Sequence, residues 1–247
     1  MTLWTPLDQE LALWRRAGRL ATLWWRDDDA EAPSPALDRL LRVTRGLPVA
    51  LAVVPAGAGG DLAHRLTTEP GIGIIQHGWQ HRNHQPVGSK TAEFGDARPV
   101  QDSRRDLQYG WMALTRLFGS RVRPVLVPPW NRIDPALAGD LPGYAAISVF
   151  GSRRTRTTGR SLWLNTHIDP IRWRDGRRFI GAEAFVARLV EHLAARRTGA
   201  VDPEEVTGLL THHLAHDEAL WEFLEEAVPR LAANRQLRFL TLDEVLA

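Results

Sequence analysis

Residues 48–55 read PVALAVVP, an unbroken apolar run of strand length held between two prolines. A strand with no polar face must be covered on both sides. Such strands belong to parallel sheets with helices packed over them. The run therefore argues against a half-exposed antiparallel sheet and points to an α/β chain.

The flanking sequence agrees. LDQELALWRRAG (7–18) has helical apolar spacing and a glycine stop, and LATLWW (20–25) reads as a strand that ends before RDDDA. SPALDRLLRVTRG (34–46) predicts a helix capped by Ser34 and stopped by Gly46. GGDLAHRLTTE (59–69) reads as a helix and GIGIIQH (71–77) as a strand; residues 82–97 form a polar loop. A long helix is predicted over 100–119, then a strand in RPVLVPPW (123–130), another in DLPGYAAISVFG (140–151) and another in SLWLNTHIDP (161–170). GAEAFVARLVEHLAARRTG (181–199) is helical, VTGLLTHH (206–213) a strand, and 217–235 a helix adjusted at Pro229. LRFLTLDEVLA (237–247) closes the chain as strand and short helix. The alternation predicts one domain over residues 1–247, with about seven parallel strands.

Composition removes several functions. There is no cysteine, so disulfide scaffolds, zinc fingers, iron–sulfur clusters and thiol nucleophiles are excluded, and any metal must be held by nitrogen and oxygen. The formal charge is +2, with no long run of like charges, which argues against a nucleic-acid partner. The densest basic segment, SRRTRTTGR (152–160), reads as a solvated loop or as a site for an anionic substrate. No segment is apolar enough to span a membrane, and the first residues do not resemble a signal peptide, so a cytoplasmic protein is expected. The pattern does not set an oligomeric state.

The polar residues gather where the predicted strands end. Asp27, Asp28 and Asp29 follow the first strand; His77 and His81 the third; Pro128, Pro129 and Trp130 the fourth; His167 and Asp169 the sixth; His212 and His213 the seventh. Parallel α/β folds build their sites at that end. Three of the nine histidines lie within residues 74–84. Two imidazoles spaced by four residues, with one carboxylate, can form a three-ligand metal site with room for water. Three adjacent carboxylates repel unless a cation, such as a metal ion or Arg26, lies among them. A histidine ending a buried strand, as in LLTHH, suits acid–base work because imidazole titrates near neutral pH. Trp79, Trp130 and Trp173 stand beside these clusters and offer faces on which a sugar ring can stack.

RDDDA, HGWQH, PPWNR and LLTHH, in that order, resemble the motifs of the polysaccharide deacetylases of the NodB-homology group, carbohydrate esterase family 4. LRFLTLDEVL is similar to the closing segment of that family, so the resemblance runs over roughly residues 20–246. It implies a distorted (β/α) barrel and a divalent ion, Zn²⁺ by preference with Co²⁺ or Ni²⁺ as alternatives. It also implies removal of an N-acetyl group from a sugar or a sugar-containing metabolite. By the same resemblance Asp29, His77 and His81 hold the metal, Asp28 is the base and His212 the acid. Asp27 and Asp28 remain the alternative pair. Trp79, Pro129, Trp130, Asn131, Arg132, His167 and Asp169 are the expected substrate-binding residues.

The chain departs from the family pattern at two points. Gly78 stands where the family has Ser or Thr. Val127 stands where it usually has an arginine beside the base, a charge that Arg26 or Arg132 is expected to replace. DPIRW (169–173) matches the family's later aspartate motif only in part. These departures leave other readings open: hydrolysis of another small amide, an inactive sugar-binding protein, or an Fe²⁺ oxygenase, since two histidines and a carboxylate also suit iron.

Overall fold

The computed structural model describes residues 2–247. The chain runs α1 (Thr5–Arg16), β1 (Ala21–Ala30), α2 (Pro35–Val43), β2 (Val49–Val53), α3 (Gly60–Arg65), β3 (Ile72–His77), α4 (Val100–Phe118) and β4 (Val122–Val127). Then come α5 (Pro135–Ala138), β5 (Ala146–Ile147), β6 (Thr157–Thr158), β7 (Ser161–Trp163), β8 (Ile171–Arg172) and β9 (Arg178–Phe179). It ends with α6 (Ala182–Thr198), β10 (Thr207–Thr211), α7 (Glu218–Ala233), β11 (Leu237–Phe239) and α8 (Leu242–Leu246).

The main sheet has the order β10-β1-β2-β3-β4-β5-β7-β6, with β11 also paired to β1. Every pairing is parallel except β6 with β7. The sheet curls on itself. Past β7 the chain stays extended, and single bridges join Phe150 to Thr166 and Ile168 to Leu209. Residues 164–168 thus lie between β5 and β10 and close a distorted barrel, as expected for the predicted fold class.

Strand parity decides what enters the barrel, because successive side chains point to opposite faces. Leu23 and Trp25 of β1, Leu51 and Val53 of β2, and Ile74 of β3 pack outward under the helices. Trp24, Ala50, Ala52, Ile75, Val125 and Val127 pack with one another inside. The same parity sends Arg26 and Asp28, His77, and His212 to the interior. Gly208 of β10 is inward too. A Cβ there would lie 2.5 Å from the Asn165 carbonyl oxygen and 2.6 Å from Trp24 Nε1, so the strand must be bare where the barrel closes tightly.

Ser34 caps α2 by accepting from the Leu37 N–H, as its position before Pro35 predicts. Four expectations are revised. β1 does not end before RDDDA but runs through Ala30, because β10 and β2 pair with it there. The predicted strand at 161–170 is regular only over Ser161–Trp163. Regular alternation fails after β4, where short strands, one antiparallel pairing in the main sheet and the separate β8–β9 pair replace long helices. Pro229 sits within α7, which continues to Ala233.

Candidate active site

The three consecutive aspartates have three different surroundings. Asp27 points outward with Trp25. It accepts from the Thr211 hydroxyl at 2.6 Å, from His213 Nδ1 at 2.5 Å and from the His213 N–H at 3.1 Å. Trp25 Nε1 donates to the same hydroxyl at 2.8 Å. Burial alone would push the Asp27 carboxyl up, but the His213 charge and hydrogen bond hold it below the ordinary carboxylate range. Behind this pair lies His216, edge-on to Trp221 at 4.4 Å, with neither ring nitrogen hydrogen-bonded to a described residue. Burial lowers its pKa to about 4.

Asp28 points inward to Arg26. Arg26 NH2 donates to Asp28 Oδ2 at 2.9 Å, and Nε lies 2.9 Å from Oδ1. The pair is almost wholly buried, at 0% and 2% exposure. Arg26 also donates to Ser148 Oγ at 2.6 Å and to Asn131 Oδ1 at 2.9 Å, so its charge has a fixed direction. Of the two arginines expected near the base, Arg26 is the one beside Asp28, while Arg132 turns away to Thr91, donating to its carbonyl at 2.7 Å and hydroxyl at 3.0 Å. His212 Nε2 stands 3.8 Å from Asp28 Oδ2.

Asp29 breaks the strand's parity. Its φ is +70°, and β1 shifts register against β2 between Asp27 and Ala30. The kink turns its carboxylate over the barrel rim, where Oδ1 lies 2.9 Å from His77 Nε2 and 3.4 Å from His81 Nε2. His81 also has positive φ, at +52°. Left-handed non-glycine residues cost energy and concentrate at sites that need a particular aim.

Donor chemistry here fits a cation. His77 Nδ1 donates to the Val127 carbonyl at 3.0 Å, which leaves the Nε2 lone pair aimed at a carboxylate oxygen. Two acceptors 2.9 Å apart require a proton or a metal ion between them. Burial disfavours charge on His77, but the Asp29 hydrogen bond and the Asp28 and Asp29 charges outweigh it and raise its pKa. His81 is pushed the other way, by burial and by the charge of His77, so the two imidazoles do not both take protons readily. A divalent ion held by Asp29, His77 and His81 answers all three demands at once.

One residue of this site escapes a motif search. Glu93, fully buried, accepts from the Trp79 N–H at 3.1 Å and the Gln80 N–H at 2.8 Å. It thereby holds the turn that carries His77 to His81. Burial pushes its carboxyl up, and the two N–H groups draw it part of the way back. Gly78 is part of the same arrangement. A Cβ there would fall 2.0 Å from Glu93 Oε2 and 2.6 Å from Pro129 Cγ, and φ is +59°. A side chain at this position has no room, and the glutamate binds the turn.

The other expected residues divide. Trp130 and Asn131 have φ of +56° and +55°. The Trp130 ring lies 4.4 Å from that of His81, and buried Pro129 packs beneath the turn. Asp169 accepts from Trp173 Nε1 at 2.7 Å and from the Ile171 N–H, and the half-exposed Trp173 ring meets His212 edge-on at 4.6 Å. Trp79 is a correction: its ring leaves the site to meet Tyr109 and the Phe94 core. Arg132 is a second, tied to Thr91. His167 is a third. The closing segment bulges there, the His167 and Ile168 N–H groups both donating to the Gly208 carbonyl, and the His167 ring points outward and stacks on His192 at 3.7 Å. The basic segment is partly absorbed as well, Arg153 donating to Asp202 at 2.6 Å.

The fold has counterparts among solved structures. A CE4 esterase from Streptococcus mutans matches 98% of this chain and 91% of its own, with TM-score 0.58 and 12% identity. A family 4 carbohydrate esterase from Streptomyces lividans, in complex with acetate, matches 89% and 91%, with TM-score 0.55 and 12% identity. The chitin deacetylase of the fungal pathogen Colletotrichum lindemuthianum matches 92% and 88%, with TM-score 0.54 and 15% identity. No protein-family model matches the chain, and no curated protein matches it in sequence. The likeness is one of fold. No helix among the described residues is long and apolar enough to cross a membrane.

Proposed function

We propose that this chain, which has the fold of carbohydrate esterase family 4 deacetylases, is a metal-dependent hydrolase. Its substrate class is a sugar, or a sugar-containing metabolite, carrying an acyl group on nitrogen, most simply N-acetyl. One observation carries this reading. Asp29, His77 and His81 converge as a ligand set beside a second carboxylate, Asp28, that is gripped by Arg26 and faced by His212.

The ion these residues fit, Zn²⁺ or a similar divalent metal, supplies Lewis-acid polarisation of the acyl oxygen and a lowered pKa for water. The chain supplies the proton traffic. Asp28 accepts the proton of the attacking water, and Arg26 keeps the carboxylate fixed and aimed as it does so. His212, at 3.8 Å from Asp28 and braced by Trp173, delivers a proton to the departing nitrogen. Trp130, beside His81, and Trp173, beside His212, each offer a ring on which a sugar can stack. Asp27 takes no part in proton transfer; with His213 it fixes β10 against β1.

The test is acetate release from N-acetylated sugars, single and polymeric, by protein loaded with Zn²⁺. We expect release from at least one, lost in both Asp28→Asn and His77→Ala. Wild-type protein holding its ion yet releasing acetate from none of them would overturn the sugar deacetylase reading.

A further inference from the structure

The proposed base and acid stand on neighbouring strands, and the ladder between those strands stops just short of the acid. β1 and β10 pair in parallel from Leu23 with Thr207 to Asp27 with Thr211. His212 follows the last pair. There the chain leaves the strand, with φ −142° and ψ 88°, and enters a single 3₁₀ turn over His213–Ala215. The His212 ring has no hydrogen bond of its own to fix it. Nδ1 is buried and bonded to no described residue, and Nε2 is 3.8 Å from Asp28 Oδ2, beyond hydrogen-bond reach. Trp173 touches the ring edge-on. The aim of His212 is therefore set chiefly by the backbone that carries it.

Asp27 grips that backbone on both sides of His212. Its Oδ2 accepts from the hydroxyl of Thr211, the residue before, and from the N–H of His213, the residue after; Oδ1 accepts from His213 Nδ1. The His213 N–H lies past the last ladder pair, so the carboxylate takes the place of the strand partner the sheet no longer offers. Among the described residues, no other side chain hydrogen-bonds to residues 212–215. Trp25 Nε1 donates to Thr211 Oγ1, which leaves the hydroxyl proton for Asp27. The Asp27 and His213 side chains are 0% and 1% exposed, so water does not compete for these bonds. A carboxylate suits the place. It accepts from all three donors, whereas an amide of the same size would turn an N–H group toward one of them.

We propose that Asp27 is a positioning residue: from the outer face of the sheet, through Thr211 and His213, it fixes His212 opposite Asp28. The inference rests on the reading of Asp28 as base and His212 as acid, and adds what sets their spacing. One residue binds both neighbours of the acid and directly precedes the base in the chain. Strand parity keeps the two tasks apart. Trp25, Asp27 and Thr211 form the frame outside, while Arg26 and Asp28 face the reaction inside, so the frame touches no reacting atom. Placement of this kind matters to turnover, since a misplacement of about 1 Å can cost about 10²-fold.

The test compares Asp27→Asn, His213→Leu and His213→Asn with wild type, all loaded with Zn²⁺. In Asp27→Asn and His213→Leu, kcat for acetate release should fall about 10²-fold, with KM and Zn²⁺ content at wild-type values. His213→Asn carries an N–H donor near the place of Nδ1 and should retain most of kcat, which a role resting on the bulk of the imidazole would not allow. Crystal structures give a readout free of turnover. In Asp27→Asn, His212 Nε2 should leave its place 3.8 Å from Asp28, while Asp29, His77 and His81 keep theirs. Wild-type kcat in Asp27→Asn, or an unmoved His212 in its crystal structure, would overturn the positioning role. A wild type that releases no acetate counts against the deacetylase reading alone, and the crystallographic comparison still decides the role of Asp27. Thr211→Val removes one of the three donors, keeps the side-chain shape, and serves in the same two measurements where Asp27→Asn fails to fold.

Discussion

Arg26 and Asp28 are two residues apart on one strand, and their side chains meet inside the barrel with Nε 2.9 Å from Oδ1. An arginine in the same strand thus stands against the carboxylate proposed here as the base. Asp28→Asn should lower acetate release by roughly 10²–10⁴-fold while leaving Zn²⁺ content at the wild-type value. Turnover and metal content measured on the same sample decide it: normal turnover would remove Asp28 from the base role.

Arg26→Leu leaves a carboxylate buried without its cation. Breaking a buried pair from one side costs about 3–5 kcal/mol, so this variant should unfold at much lower urea than wild type. Arg26→Leu combined with Asp28→Leu should recover a large part of that loss. A double-mutant cycle by urea denaturation reads the coupling.

The Glu93 carboxylate holds the turn from His77 to His81 by two backbone N–H groups. Glu93→Gln puts an amide donor against one of those donors, at a cost of about 1–3 kcal/mol. Zn²⁺ affinity, measured by competition with a chromogenic chelator, should fall about 10–100-fold, the range typical of residues that orient ligands. Unchanged affinity would limit Glu93 to a folding role.

Gly78→Ser restores the residue type of the family motif and should nevertheless do harm. The new Cβ collides with Glu93 and Pro129, and φ is +59°. A destabilisation of about 2–4 kcal/mol and weaker Zn²⁺ binding are expected. Gly78→Ser with Glu93→Ala should be milder than Gly78→Ser alone, measured by thermal melts.

Acid should destabilise the fold through His216. Its pKa is about 4 when folded and the ordinary 6.5 when unfolded. The unfolded chain therefore takes the proton first, and stability falls as pH drops from about 6.5 to 4, by at most roughly 3 kcal/mol. Their pairing shifts His213 upward, so its contribution to stability grows as pH falls, whereas Asp27 is shifted downward and its contribution is lost only in stronger acid. Urea unfolding at pH 7.5 and 4.5 should give a smaller difference in His216→Leu than in wild type; equal differences would exonerate His216.

The parallel half of the fold could be read from the sequence because β2 and β3 are buried on both faces and their residues say so. From β5 to β9 the strands shrink to two or three residues, too short for any period to register. The pair His77 and His81 was visible as a spacing, and Asp29 as a nearby carboxylate. Choosing among Asp27, Asp28 and Asp29 required knowing where β1 ends, and the pairing that extends it comes from β10, far along the chain. His167 turns outward at a bulge set by its pairing with Gly208, far along the chain, and no local pattern marks that bulge. Glu93 had no local signal, since what marks it is the backbone it accepts from.

Three identical letters at Asp27, Asp28 and Asp29 also act as a proofreading device for folding. Each carboxylate has one compatible environment: a histidine outside, an arginine inside, a ligand cluster at the rim. A slip of β1 by one residue would carry Asp27 into the barrel and leave both carboxylate and Arg26 without partners in the dry interior. Misaligned strands are therefore penalised by electrostatics before any substrate is met, and the densest negative charge in the chain enforces the correct alignment of its central strand.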